Sequence, residues 1–141
     1  MLVLDVNVLL AAHRDDHPDF AVSRQWLTEL TRSGRQFAVP WPVWWSFLRL
    51  ATNRRIFGVP TPLEDAIGFV HAVRLQPGHV HLDAGPRHLD VLSSLCADAE
   101  ASGDLMPDAV IAAIAVEHGG AVVSFDRDFA RFPGLRWQRP E

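Results

Sequence analysis

Five side chains in this sequence have the types and the setting to do chemistry: Asp5, Asn7, Asp108, Asp126 and Asp128. Asp5 directly follows Leu2-Val-Leu4, an apolar run that reads as a short strand, and precedes an apolar helical turn from Val8 to Ala12. Asp108 stands at the start of a helix whose stretch from Ala109 to Val116 is apolar on every face, so that helix is expected to pack against a sheet with little exposure. Asp126 and Asp128 follow Ala121-Val-Val-Ser-Phe125, a β-prone run of the kind that forms a parallel strand covered on both sides. Each carboxylate thus falls where a strand ends or a helix begins, the edge of a doubly wound sheet at which ligands bind.

Singly, these residues have plain structural uses. Asp108 is a good helix cap, Asp5 or Asn7 can cap the first helix, and Asp126 with Asp128 can make an Asx-type turn. If Asp5, Asp108 and Asp126 converge, more follows. Carboxylates ~4 Å apart repel by about 4 kcal/mol per pair at an effective dielectric of about 20, so a cation or a proton must come between them. An oxygen-only ligand set without Cys or His selects Mg²⁺, or Mn²⁺, over zinc. Such an ion orients water for in-line attack on phosphorus and neutralises the leaving oxygen, so metal-dependent phosphodiester hydrolysis is the natural reaction. Asn7 is suited to orienting a carboxylate or a water beside Asp5.

The elements that must position these groups can be followed along the chain. Phe20 to Arg32 is an amphipathic helix with Trp26, Leu27 and Leu30 inward, closed by Gly34. Phe37-Ala-Val39 is the next strand, stopped by Pro40, and Trp41 to Thr52 a helix entered through Pro42. Thr61-Pro-Leu-Glu64 is a capping box opening a helix that runs to Gln76. Val80-His-Leu82 reads as a further strand, Pro86 opens a helix carrying Leu89, Leu92 and Cys96 that Gly103 ends, and Leu135-Arg-Trp137 can make a last edge strand. Gly119-Gly120 ends the apolar helix. Strands alternate with helices, which predicts an α/β fold: one domain over residues 1–141, with a central twisted parallel sheet of 4–5 strands and helices on both faces.

At 141 residues with 48% hydrophobic content the chain has enough material for one core and too little for two. The net charge of -4 excludes whole-molecule attraction to polyanions, and all 13 basic residues are Arg. They are unevenly spread. From Leu30 to Leu63 there is no Asp or Glu, while Arg32, Arg35, Arg49, Arg54 and Arg55 give that segment five positive charges. The same segment holds Trp41, Trp44 and Trp45, more indole than one helix face buries, so either at least one meets a partner or the core is locally bulky here. Arg49, Arg54, Arg55, Trp44 and Trp45 are the candidate contacts to RNA or to a protein partner, a basic ridge that offsets the repulsion between acidic pocket and phosphodiester. A solvated helical face accounts for the charges as well. A lone Cys96, an N-terminus without a basic leader and no stretch near the ~20 apolar residues of a membrane helix point to a cytoplasmic protein with no membrane partner.

Four segments in order, Asp5-Val-Asn-Val-Leu-Leu10, Phe47-Leu-Arg-Leu-Ala-Thr52, Pro107-Asp-Ala-Val-Ile-Ala-Ala113 and Ser124-Phe-Asp-Arg-Asp-Phe129, resemble the motifs of PIN-domain ribonucleases, in particular the VapC toxins of bacterial type II toxin–antitoxin systems. The resemblance spans nearly the whole chain. It implies Mg²⁺-dependent endonucleolytic cleavage of an RNA such as tRNA or rRNA, with Asp5 and Asp108 as main metal ligands, completed by Asp126 and by Asp128. It also implies a homodimer held inactive by a cognate VapB-type antitoxin. There is one departure: PIN nucleases usually carry a Glu in the third helix, where this chain has Ser46. A hydroxyl there can still hold a water, yet one bound ion is favoured over two. The rival reading is a catalytically silent PIN-like module that binds RNA or protein. A phosphatase or phospho-receiver ranks below both, since the first wants an Asp where Asn7 stands and the second a Lys that the chain lacks.

Overall fold

Leu2–Leu4 forms strand β1 with all three residues buried, and because successive strand side chains point to opposite faces, the sheet at this strand is covered on both. The computed structural model describes the whole chain, residues 1–141. After β1 come α1 (Val6–His13), α2 (Phe20–Ser33), β2 (Phe37–Ala38), α3 (Trp41–Ala51), α4 (Leu63–Arg74), α5 (His88–Ala99), α6 (Met106–Glu117), β3 (Ala121–Val123) and β4 (Arg136–Gln138). Two 3-10 segments, Gly103–Leu105 and Arg127–Arg131, precede α6 and follow β3.

The strands lie in the order β2-β1-β3-β4 and every pairing is parallel, with Leu4 opposite Val123 and Val123 opposite Gln138. From β1 the chain crosses to β2 on one side, then returns past β1 to β3 on the other. The sheet therefore reverses its winding between β1 and β3, and a crevice opens beyond their C-terminal ends. Asp5 leaves β1 and Ser124 leaves β3 at that point. Helix α6, apolar all round as its sequence requires, buries Ala109 and Ile111 to Ala115 between α5 on one side and β1 and β3 on the other. Gly119, at φ 68°, ends it in the left-handed region that a glycine enters without steric penalty.

The parallel α/β architecture with four strands agrees with the expectation, and four local readings need correction. Val80–Leu82 is not a strand. Only a single bridge forms there, at the preceding residue His79 beside Phe37, because β2 stops after two residues and has only the Phe37 amide and carbonyl to offer outward. Gly78, where any Cβ would collide with the Arg35 carbonyl oxygen, allows that approach. The capping box at Thr61 does not form: α4 starts at Leu63 with Pro62 as its cap, and the Thr61 hydroxyl instead meets His13 at 3.0 Å and accepts from Arg14 at 3.2 Å. Helix α5 ends at Ala99, before Gly103, with Glu100 at φ 51°. That strained residue lets the Ala101 amide donate back to the Cys96 carbonyl at 2.9 Å and puts Ala101 into the core. Trp44, expected at a contact surface, is 1% exposed. It packs edge to face on Phe47, with ring centroids 5.8 Å apart, and belongs to the core.

Candidate active site

Asp5 is the first residue past β1 and caps α1, its Oδ1 accepting from the Val6 amide at 2.8 Å. Its other oxygen accepts from the Ser124 hydroxyl at 2.7 Å, so the buried carboxylate is held from two sides. Ser124 ties the two strand ends together. Having given its one proton to Asp5, its oxygen accepts from Asn7 Nδ2 at 2.9 Å and from the Asp126 amide at 3.0 Å. Asn7 Oδ1 in turn accepts from the Phe125 amide at 3.2 Å. The expected orienting role of Asn7 is thus exercised on the β3 exit rather than on Asp5 directly.

Ser124 is the residue that sequence reasoning missed. It is fully buried and polar inside an otherwise apolar run, and that mismatch was the only available signal. Ser124→Ala is expected to cost about 1–3 kcal/mol of stability, by leaving buried partners unsatisfied. It should also weaken divalent metal binding about 10- to 100-fold, the usual effect of losing a group that orients ligands. Urea unfolding and Mg²⁺ titration of the variant measure both, and an unchanged metal affinity would show that this network does not set the carboxylates.

Of the four acids expected at the metal site, Asp5, Asp108, Asp126 and Asp128, the last three come closest together. Carboxylate oxygens of Asp108, Asp126 and Asp128 all lie within 4.8 Å of one another. Asp5 sits beside the cluster, drawn back by Ser124 and Val6, and its charge is felt by Asp108. Asp5 and Asp108 share the lining of a cavity of about 170 Å³ with Ser46, and Pro42, Val43 and Ile111 supply apolar wall. Asp108 lies in the first turn of α6 yet makes no capping hydrogen bond, so the structural use open to it in the sequence is not taken up. Asp126 does make the Asx-type turn, accepting from the Asp128 amide at 2.8 Å, and this turn is what swings Asp128 towards Asp108.

Electrostatics follow from this crowding. Burial first, then the charges of Asp5, Asp126 and Asp128, push the Asp108 carboxyl up to about 7. Burial also raises Asp5, partly opposed by its hydrogen bonds from Ser124 and Val6. The donor set fits a hard divalent cation: four carboxylates gathered at one sheet edge, with no sulfur or imidazole among them.

A group whose folded pKa is raised contributes stability that is full below its ordinary value of 3.8 and is lost as pH rises through about 7. Relative to Asp108→Asn, the metal-free protein is therefore expected to melt at falling temperature between about pH 4 and about pH 7. Mg²⁺ should restore the loss at about pH 8 and do little at about pH 5, since ion and proton compete. Thermal melts in EDTA and in Mg²⁺ test this, and parallel curves for the two proteins at every pH would contradict it.

The basic ridge is partly as expected. Arg49, Arg54 and Arg55 are exposed, and none is in a salt bridge. Trp45 is 65% exposed and Trp41 43%, whereas Trp44 is not available. Trp45 and Arg49 are four residues apart on α3 and share a face. Ser46 between them faces the acidic cavity. No helix is long and apolar enough to cross a membrane.

Comparison with known proteins matches residues 2–135 to the PIN domain family. Over 140 residues the chain is 59% identical to Ribonuclease VapC25 of Mycobacterium tuberculosis, with 99% of each chain covered. Its fold superposes on that of VapBC2 from Rickettsia felis, solved bound to a DNA fragment from its promoter, with a TM-score of 0.72 at 16% identity, covering 99% of this chain and 98% of that one. Against VapC20 of Mycobacterium tuberculosis, a Sarcin-Ricin loop cleaving toxin, the TM-score is 0.65 at 18% identity, covering 96% and 99%.

Proposed function

Since the chain belongs to the PIN-domain family, among its VapC ribonucleases, we propose that it is a metal-dependent endoribonuclease that cuts a structured RNA, and the toxin of a VapBC-type toxin–antitoxin pair. The observation that carries the chemical part is the meeting of Asp108, Asp126 and Asp128, with Asp5 alongside, at the point where the sheet reverses its winding. These four residues would hold one divalent cation, Mg²⁺ or Mn²⁺. Bound there, the ion supplies the positive charge that offsets four carboxylates and polarises a phosphodiester and its attacking water.

The chain's own residues do the rest. Asp108, whose carboxyl burial and three acidic neighbours push up to about 7, would hold the ion in its ionised form. Ser124 and Asn7 fix the Asp5 carboxylate and the β3 exit against each other, so the ligands are set before substrate arrives. Ser46 offers a hydroxyl on the cavity wall to a water or to a phosphate oxygen. With Ser46 in place of an acid, the donor set supports one ion better than two. Arg49, Arg54 and Arg55 hold the RNA backbone by charge, and Trp45 offers a face on which an unpaired base stacks.

A VapB-type antitoxin and a second copy of the chain are the proposed protein partners, and the exposed Trp41 and Trp45 are surface that such contacts would cover. A cytoplasmic site of action accords with an RNA substrate. The test is incubation of the purified protein with tRNA and rRNA in Mg²⁺, beside EDTA and Asp5→Asn controls. Discrete cleavage lost in both controls is expected. Uncut RNA that is still bound would favour the silent binding module, which the missing acid at Ser46 recommends as the second reading.

A further inference from the structure

Ser46 sits midway along α3 and lines the acidic cavity, yet nothing in the fold uses its hydroxyl. Other hydroxyls in helices or at their ends are spent locally. Those of Thr28, Thr31, Ser33 and Thr52 each donate to a carbonyl of their own helix, at 2.7 to 3.0 Å. The Ser46 hydroxyl makes no such bond, and it is not sealed in either. The residue is partly exposed, and its oxygen stands apart from the buried, unpartnered atoms of the core such as Ser23 Oγ. A solute in the cavity can therefore reach both its proton and its lone pairs.

The rest of the wall narrows what that solute is. Asp5 and Asp108 stand there as acids, while Pro42, Val43, Val110 and Ile111 present carbon, so Ser46 is the one uncharged polar side chain on the cavity. A base edge carries several donors and acceptors, most of which would find no partner against that wall. A second phosphate would meet two carboxylates and no guanidinium. A phosphate oxygen would take the serine proton and leave its lone pairs unspent.

A ribose within an RNA strand matches better. Its 3′ and 5′ oxygens are esterified and its carbon faces suit an apolar wall. One free hydroxyl remains, at the 2′ position, and like the serine it both donates and accepts. The cavity of about 170 Å³ has room for several waters at ~30 Å³ each, and so for one furanose ring. A phosphate held at Asp108 would bring its adjoining sugar into this space, because Asp108 and Ser46 line the same cavity.

We propose that Ser46 reads the 2′-hydroxyl of the sugar beside the scissile phosphate, and so makes this chain prefer ribose over deoxyribose at the cut. A glutamate at this place would only accept, and would add a negative charge beside four carboxylates. Serine is neutral and does both. This role rests on the proposal that the substrate is RNA, and a measurement of affinity rather than cleavage separates the two.

The 3′,5′-bisphosphates of adenosine, guanosine, cytidine and uridine, and their 2′-deoxy counterparts, are titrated into the full chain in Mg²⁺ by calorimetry. They carry a phosphate on each side of the sugar and no diester to cut. For at least one base, the wild type is expected to bind the ribose form about 5-fold more tightly than the deoxyribose form, one hydrogen bond's worth. Ser46→Ala, which breaks no bond within the fold, should abolish that preference. Ser46→Thr keeps a hydroxyl and should retain it. A preference abolished in Ser46→Ala, in a wild type that cuts no RNA, would support the sugar site and sink the nuclease. RNA cleavage by a wild type that binds both sugar forms equally would overturn the sugar site while the nuclease stands. A preference that survives in Ser46→Ala, or no binding of any bisphosphate at millimolar concentration, would overturn the sugar site as well.

Discussion

Asp108→Asn is expected to lower RNA cleavage by about 100- to 1,000-fold while leaving the fold intact or more stable. The size is that of removing one preorganised electrostatic group from a reacting centre. The stability half of the expectation comes from the structure. Asp108 accepts no capping bond, and its carboxyl is raised to about 7 by burial and three acidic neighbours, so its ionised form opposes folding when no metal is present. Asparagine keeps the shape and removes the charge. A core or capping residue behaves in the opposite way, losing stability first and activity as a consequence. Cleavage rates and urea unfolding of the same preparation separate the two cases.

Phe47→Ala is expected to destabilise the protein by about 3–5 kcal/mol, the range for emptying a buried aromatic site. Phe47 is fully buried and sits at the centre of an aromatic group. It stacks on Phe69 with centroids 5.1 Å apart, and meets His13 and Trp44 edge to face at 5.4 and 5.8 Å. Those partners come from α4, α1 and α3, so the cavity would loosen three helices at once. Ser46, the preceding residue, depends on the same anchoring to face the acidic cavity. Urea unfolding measures the loss, and a cost under about 1 kcal/mol would mean that the group is not the hinge of the helical layer.

What the sequence made legible was whatever depends on short-range pattern. Alternating apolar strands and helices gave the parallel sheet, and the position of Asp5, Asp108 and Asp126 at element ends placed them on one edge of it. What stayed hidden depends on register and on distant partners. Ser124 matters because Leu4 pairs with Val123, which sets Asp5 beside it; no local pattern carries that offset. Thr61 looked like a cap, but Arg14, far earlier in the chain, takes its hydroxyl. Trp44 and Trp45 are neighbours in sequence and about 100° apart on a helix, and it is packing from other elements that takes the first into the core and leaves the second in solvent. Asp128 is one of the three acids in closest approach because the turn after β3 curls back through the Asp126 side chain, an arrangement that no local pattern announces.

Whether these acids form a site for one hard divalent ion is decided by calorimetric titration of Mg²⁺ into the metal-free protein at about pH 8, beside Asp108→Asn and Asp5→Asn. One ion per chain in the wild type, with binding lost or weakened at least about 10-fold in both variants, is the predicted result. Equal affinity in all three proteins, or no heat of binding in any, would contradict it.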